Sequence, residues 1–213
     1  TFGDIGTSSP RKSLDLPSGG LLFLNSSTTT LLSLERLSDF SPFPVSFLKE
    51  WIKRLVKRNH FLVALVRKYF RNRPPYWDPM EFREPEIPDW WMDPFSDRLL
   101  QNVELSTIRH QRQSIYRIWE EFVLKSGLTP VFTDLAPGAI PLSFPAYTSG
   151  SKANRLWFDW GWKNGFNVYS WPTLPESVVE EERPALQYWK RLVCFPIESW
   201  MNERWLQERL KRF

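Results

Sequence analysis

The amino-acid sequence predicts an α/β fold, a small sandwich in which helices cover one face of a sheet. From residue 95 onward, segments with apolar residues at three-and-four spacing alternate with short apolar runs, the pattern of helices that alternate with strands. Hydrophobic residues make up 42% and aromatic residues 16% of the 213 residues. A chain of this length and composition buries a core and does not have the composition of a disordered protein.

The first 30 residues predict two strands joined by a polar loop. The second strand is an apolar run over residues 19–25 that begins with Gly19 and Gly20, which is typical of a strand buried on both faces. Pro10, Arg11 and Lys12 lie in the preceding loop. We therefore expect Lys12 to lie on a loop between two buried strands.

Residues 46–71 predict an amphipathic helix, and residues 74–94 predict an extended connection. The helix carries apolar residues at three-and-four spacing and ends before Pro74 and Pro75, because proline cannot continue a helix. Six prolines and three tryptophans lie in residues 74–94. Extended, proline-rich chain buries nothing by itself, so we expect these tryptophans to pack on a neighbouring surface.

The positive charge of the chain is concentrated in residues 46–73, which contain nine Lys or Arg residues and one acidic residue, Glu50. A basic helix of this kind is either the solvated face of a core helix or a surface for anionic lipid. Nucleic acid is disfavoured as a partner, because the aromatic residues do not interleave with the basic ones as in a known binding module.

Residues 95–213 predict the remaining elements. We expect a long helix from Phe95 or Ser96 to Ser126, with Ser96 as the N-cap and Gly127 as the stop. Its buried stripe would contain Leu105, Ile108, Ile115, Trp119 and Phe122. Strands are predicted at residues 131–132, 141–147, 166–171 and 193–196, and helices at residues 151–164, at residues 184–192 and at the C-terminus up to Phe213.

The helix at residues 151–164 carries Trp157, Trp160 and Trp162. These side chains could stack on a sugar, but packing in a core or an interface is the favoured interpretation. His60 and His110 lie in polar helical contexts and are expected at the surface, and the acidic run at residues 180–182 is expected to be a solvated loop.

Several classes of function are excluded by composition. The single cysteine, Cys194, allows no intramolecular disulfide, and with only His60 and His110 it cannot form a conventional zinc site. The longest apolar run, residues 61–66, is far too short to span a bilayer. A reducing, cytoplasmic location is therefore expected. The chain begins at Thr1 without a signal-peptide pattern, so we expect this start to be a cut in a longer protein.

Lys12 is the residue whose setting points to catalysis. A lysine amine forms a Schiff base only without its proton, which requires burial or a neighbouring cation. Arg11 supplies such a cation, and the flanking strands are expected to supply the burial. The alternative is an ordinary solvated surface lysine.

The sequence around Lys12 resembles a known family. Residues Ser9-Pro10-Arg11-Lys12, then Leu14 and Leu16, then residues 17–22 with their Gly-Gly-apolar run, are similar to the cofactor-lysine segment of the pyridoxal-phosphate aminotransferases of the DegT/StrS type. The resemblance continues in the order of that family's small C-terminal domain, at residues 108–116 with Arg112 and Tyr116, 139–145, Arg155, 165–168, 171–175 and 191–197.

The resemblance implies a role for Lys12 as the lysine that binds pyridoxal 5'-phosphate and carries the proton of the 1,3-shift. It makes Thr7, Ser9 and Arg11 candidates for contacts to the cofactor phosphate. It also implies that the aspartate for the pyridine nitrogen and the aromatic residue that stacks on the ring precede Thr1. No metal-binding residues are expected.

The resemblance further implies a fold-type-I architecture. Residues 1–45 would be a remnant of the large domain with the lysine loop, residues 46–94 the basic helix and the Pro/Trp-rich connection, and residues 95–213 the small domain. It implies a homodimer that takes a nucleotide-linked sugar and an amino-acid donor in polysaccharide or cell-surface glycan biosynthesis. The rival hypothesis is a non-catalytic module that binds a membrane, through residues 46–73, or a protein partner.

Overall fold

The computed structural model describes residues 5–14, 16, 18–25, 52, 56, 62, 91–171 and 174–213. The chain divides into two compact units, one of Thr1–Ile52 with Pro85–Leu105 and one of Lys53–Glu84 with Ser106–Phe213. The helix predicted at residues 46–71 is described only at Ile52, Val56 and Leu62, each of which is helical. Most of the proline-rich segment lies outside the described residues.

The first unit contains a β-hairpin. Strand β1, Ile5–Ser8, pairs antiparallel with strand β2, Leu21–Leu24, from Ile5 opposite Leu24 to Ser8 opposite Leu21. The expectation that β2 is buried on both faces is wrong, since Leu22 and Phe23 are 47% and 41% exposed. Among the described residues β1 and β2 pair only with each other, and a two-stranded ribbon gives its side chains little cover.

The first unit also contains helix α1, Pro94–Gln101. Its N-cap is Asp93 and not Ser96, because the Asp93 carboxylate accepts the N–H groups of Phe95 and Ser96 and Pro94 is suited to the first helical position. The single helix predicted up to Ser126 is in fact two helices. The Asn102 side chain donates to the carbonyl of Arg98 and ends α1, and helix α2 begins at Leu105 and ends at Lys125.

The second unit is built on a three-stranded antiparallel sheet in the order β3-β4-β5. Strand β3 is Thr129–Pro130, β4 is Ser143–Tyr147 and β5 is Leu192–Pro196. β4 pairs with β5 from Ser143 opposite Pro196 to Tyr147 opposite Leu192. The protein is thus a mixed α/β protein with small antiparallel sheets.

The helices of the second unit lie before, between and after these strands in the sequence. After α2 come α3, Ser151–Asn164, α4, Glu176–Glu180, α5, Pro184–Arg191, and α6, Glu203–Leu210. The prediction for α3 is confirmed, including Gly165 as its stop, where φ is +84° and favours glycine. The predicted strand at residues 166–171 is reduced to one bridge, Tyr169 with Cys194, and the predicted strand at residues 131–132 lies instead at β3.

The core of the second unit is aromatic. Trp119 of α2 is fully buried, contacts Phe166 and Phe195 with its ring, and donates its indole N–H to the carbonyl of Pro196. Trp157 and Trp160 of α3 pack against this cluster, which supports core packing over sugar stacking for both. From the predicted stripe of α2, Ile115 and Trp119 are buried, but Leu105 is 54% exposed.

No helix among the described residues has the length and apolarity needed to cross a membrane.

Candidate functional site

The residues between the two strands of the hairpin form the lysine loop, residues 9–20. A 3-10 turn, Pro10–Lys12, opens the loop. Pro10 occupies the first turn position, where its fixed φ is favourable. The N–H of Lys12 donates to the carbonyl of Ser9 at 3.1 Å, and the N–H groups of Ser13 and Leu14 donate to the carbonyl of Pro10 at 3.0 and 2.8 Å. The main chain of Lys12 is therefore held by local hydrogen bonds.

The turn exposes Lys12 and buries residues on either side of it. Pro10 and Leu16 are buried, whereas the Lys12 side chain is exposed. The expected burial of this amine by the flanking strands is thus wrong for the described residues, because both strands are themselves largely exposed. The main chain of Arg11 lies in the same turn, next to Lys12.

The hydroxyl residues predicted to contact phosphate lie at the same end of the hairpin. Thr7 is exposed on β1 opposite Leu22, and Ser9 is half-buried at the start of the turn. Among the described residues, no hydrogen bond joins the side chains of Thr7, Ser9 and Lys12. These three residues therefore lie near one another at the loop end of the hairpin, but they do not form a closed pocket.

A cluster that the sequence analysis missed closes the lysine loop at its far end. The Ser18 hydroxyl donates to Oδ2 of Asp93 at 2.5 Å and accepts the N–H of Asp93 at 3.0 Å. The N–H of Ser18 donates to the Ser96 hydroxyl at 3.3 Å. An Asp-Pro pair before a helical segment is a known N-cap signal, so the cap could have been found from the sequence, but its contact with Ser18 could not.

The carboxylate of Asp93 accepts four hydrogen bonds. Its burial alone would raise its pKa, but hydrogen bonds from the hydroxyls of Ser18 and Ser96 and from the N–H groups of Ser96 and Phe95 outweigh burial and lower the pKa. Asp93 is therefore ionised at neutral pH, and its hydrogen bonds are charge-assisted.

Gly19 adds a second contact at the same place. Its φ of +105° is a conformation that side chains rarely adopt, and a Cβ built on it would lie 2.2 to 2.9 Å from three side-chain atoms of Met92. The Met92 side chain thus lies directly on the Gly19 backbone. Of the glycine pair that follows the lysine in the sequence, Gly19 is the one that permits this close approach.

A separate cavity of about 560 Å³ lies in the second unit, between the first turns of α2 and α6. His110, exposed as predicted, lines it together with Gln111, Asn202 and Glu203. The Gln111 amide donates to the carbonyls of Ser199 and Met201, and Asn202 caps α6. Gln111 therefore joins α2 to the segment before α6, and the Asn202 side chain is used within α6.

The described residues contain no group of three His, Cys, Asp or Glu side chains that could hold a metal ion. Cys194 is buried, and burial raises the pKa of its thiol to about 11 although a hydrogen bond with Ser143 opposes the shift. A thiol in this state is a poor nucleophile.

Comparison of the chain with protein families, with curated proteins and with solved structures finds no match.

Proposed function

We propose that this chain is part of a pyridoxal-phosphate-dependent, DegT/StrS-like aminotransferase in which Lys12 binds the cofactor. The observation that carries the proposal is the placement of Lys12, an exposed amine on a hydrogen-bonded turn between two antiparallel strands. A serine-containing segment, the lysine and a Gly-Gly-apolar strand follow one another here in the same order as in the cofactor-lysine segment of the family that the sequence resembles. A rigid main chain with a free side chain suits an amine that must reach an aldehyde.

The residues of the lysine loop fit part of this cofactor. The exposed Lys12 amine is open to the aldehyde, and Thr7 and Ser9 offer hydroxyls for an anionic group at the same end of the hairpin. Pyridoxal phosphate, when bound, supplies an electron sink. The role of Lys12 Nζ is to hold the cofactor and then to move the substrate proton, while Thr7, Ser9 and Arg11 bind the phosphate.

The substrate class and assembly follow from the resemblance. We propose a nucleotide-linked sugar as acceptor and an amino acid as donor, in polysaccharide or cell-surface glycan biosynthesis, and a homodimer as the active form. The second unit has a mixed α/β architecture, which is compatible with the small domain of such an enzyme. We propose that it is this domain of a fold-type-I enzyme. Partial burial of Lys12 would then come from the partner subunit of the proposed homodimer.

Pyridoxal phosphate itself tests the proposal. We expect the protein to develop a visible absorption band with this cofactor, and borohydride reduction followed by peptide mass spectrometry to place the pyridoxyl group on Lys12. Lys12→Ala should remove at least about nine-tenths of the band, because the proposal places the cofactor on this amine. Lys152→Ala, a change of an exposed lysine on α3, is the matched control and should leave the band intact.

An unchanged spectrum in Lys12→Ala would refute the role of Lys12. The rival function, a binding module with a basic surface, would then be favoured if the protein floated with vesicles that contain anionic lipid and not with neutral vesicles. Replacement of Lys49, Lys53 and Lys57 by Ala should abolish that flotation, because attraction to an anionic surface scales with the number of basic residues.

A further inference from the structure

The lysine loop is attached to a segment that lies 75 residues later in the sequence. Ser18 makes three hydrogen bonds to this segment, two with Asp93 and one with the hydroxyl of Ser96. Both partners are fully buried, at 1% and 0% exposure. Ser18 itself is half-buried, so these hydrogen bonds are partly shielded from water. Hydrogen bonds to a charged group are stronger than neutral ones.

The two oxygens of Asp93 have different partners. Oδ1 accepts the N–H groups of Phe95 and Ser96 and so caps α1. Oδ2 accepts the hydroxyls of Ser18 and Ser96. A serine, with one side-chain oxygen, would cap a helix as well as an aspartate does. The second oxygen of Asp93 is therefore not required for capping α1. That oxygen is directed to the lysine loop.

Ser18 lies six positions after Lys12. Of the described residues between them, Ser13 and Leu14 donate their N–H groups to the carbonyl of Pro10, and Leu16 is buried. Met92 lies against Gly19 immediately after Ser18. The loop that carries Lys12 is therefore joined to β1 before it and, through Ser18 and Gly19, to residues 92–96 after it.

We propose that Asp93 is a positioning residue for Lys12, which it holds in place through Ser18. The proposal rests on the proposed function of Lys12, and Asp93 itself need not touch the cofactor. Loss of the Ser18 contact detaches the lysine loop from Asp93 and Ser96, so the Lys12 amine spends less time where an aldehyde bound near Thr7 and Ser9 can reach it.

The test measures how Lys12 labelling depends on pyridoxal phosphate concentration. The full chain is incubated with the cofactor and reduced with borohydride, and pyridoxylation is counted at Lys12 and at Lys152 in the same sample. Ser18→Ala removes the contact and keeps the helix cap. Asp93→Ser keeps a cap but removes the second oxygen. Each should raise the concentration for half-labelling of Lys12 by about tenfold, the effect of one lost charge-assisted hydrogen bond.

Two controls separate positioning from general destabilisation. Asp97→Ser changes an exposed aspartate on the same helix whose carboxylate accepts only the side chain of Gln101, and it should leave the half-labelling concentration unchanged. Ser18→Thr keeps the hydroxyl and should restore most of the lost labelling. A mere loss of folded protein would lower labelling at every concentration without a shift in its midpoint.

Equal half-labelling concentrations in wild type, Ser18→Ala and Asp93→Ser would overturn the positioning role while the role of Lys12 stood. If wild-type Lys12 is labelled no more readily than Lys152, the proposed function fails. The Ser18–Asp93 contact, the anchor of the lysine loop, can then be tested by itself through the rate of tryptic cleavage after Lys12, relative to cleavage after Lys152 in the native chain. Cleavage after Lys12 requires local opening of the loop. Faster cleavage in both variants supports the anchor, and unchanged cleavage refutes it.

Discussion

Single buried polar side chains join distant parts of the second unit. Arg112 of α2 is 4% exposed, and its Nη1 donates to the carbonyls of Pro141 and Ile197, both at 2.9 Å. Asn154 of α3 donates to the carbonyl of Leu192. These carbonyls lie at or near the ends of β4 and β5. Each side chain supplies a hydrogen-bond partner for a main-chain acceptor there.

We expect Arg112→Met to lower the free energy of unfolding by about 2 to 3 kcal/mol. The methionine retains much of the apolar stem but leaves the carbonyls of Pro141 and Ile197 without this donor, and a buried acceptor that loses its partner carries the full cost of desolvation. Urea unfolding followed by tryptophan fluorescence measures the change. Arg109→Met, an exposed arginine of the same helix, should change stability by less than about 0.5 kcal/mol. Equal effects in the two variants would contradict the argument.

At the scale of elements, the contact of α3 with the segment that follows it depends on Gly161. A Cβ at this position would lie 2.5 and 2.7 Å from Cγ2 and Cβ of Val168 and 3.3 Å from the carbonyl oxygen of Phe166. The chain returns along its own helix after Gly165, where φ is +84°. The helix therefore contains a glycine for packing, at a place where helix propensity alone would favour alanine.

Gly161→Ala should destabilise the protein, although helix propensity alone predicts a gain of about 0.5 to 1 kcal/mol. The crowded Val168 Cβ cannot move without its backbone, and overpacking of this kind costs about 1 to 3 kcal/mol. Thermal unfolding measures the sign. The double variant with Val168→Ala should recover part of the loss because it removes the crowded methyl groups. A higher melting temperature for Gly161→Ala alone would show that the crowding is absent.

For the molecule as a whole, Cys194 offers a probe of the second unit. The thiol is 3% exposed on β5, in contact with the core, and burial raises its pKa to about 11. Because a thiol reagent attacks the thiolate, both access and ionisation protect this residue in the folded state. Its reactivity therefore reports the opening of the sheet.

We expect native Cys194 to react with a disulfide reagent at pH 8 at least about a hundredfold more slowly than the unfolded chain, since thiolate is scarce when the pKa is raised to about 11. The rate should rise as pH increases toward that pKa. It should also rise with urea along the same transition as tryptophan fluorescence, because Trp119 and Cys194 belong to one unit. A fast reaction of the whole sample without urea would mean that β5 is open.

The sequence predicts local elements well where local chemistry determines them. Gly165 ends α3 because glycine takes a positive φ at low cost, and apolar spacing places α3 and α5 within a residue of their observed bounds. It fails at Asn102, where a side-chain hydrogen bond divides one expected helix into two. It also fails at residues 166–171, where alternation predicts a strand but only Tyr169 pairs with β5.

Some features of the candidate site could likewise be predicted from the sequence, and others could not. The sequence by itself determined that Lys12 lies in a short turn between two strands, because proline, serine and glycine have local backbone preferences. Only the tertiary structure decided that Lys12 is exposed, that Asp93 bonds Ser18, and that Gly19 admits Met92. Contacts between residues 75 positions apart depend on how the whole chain folds back, which no local pattern specifies.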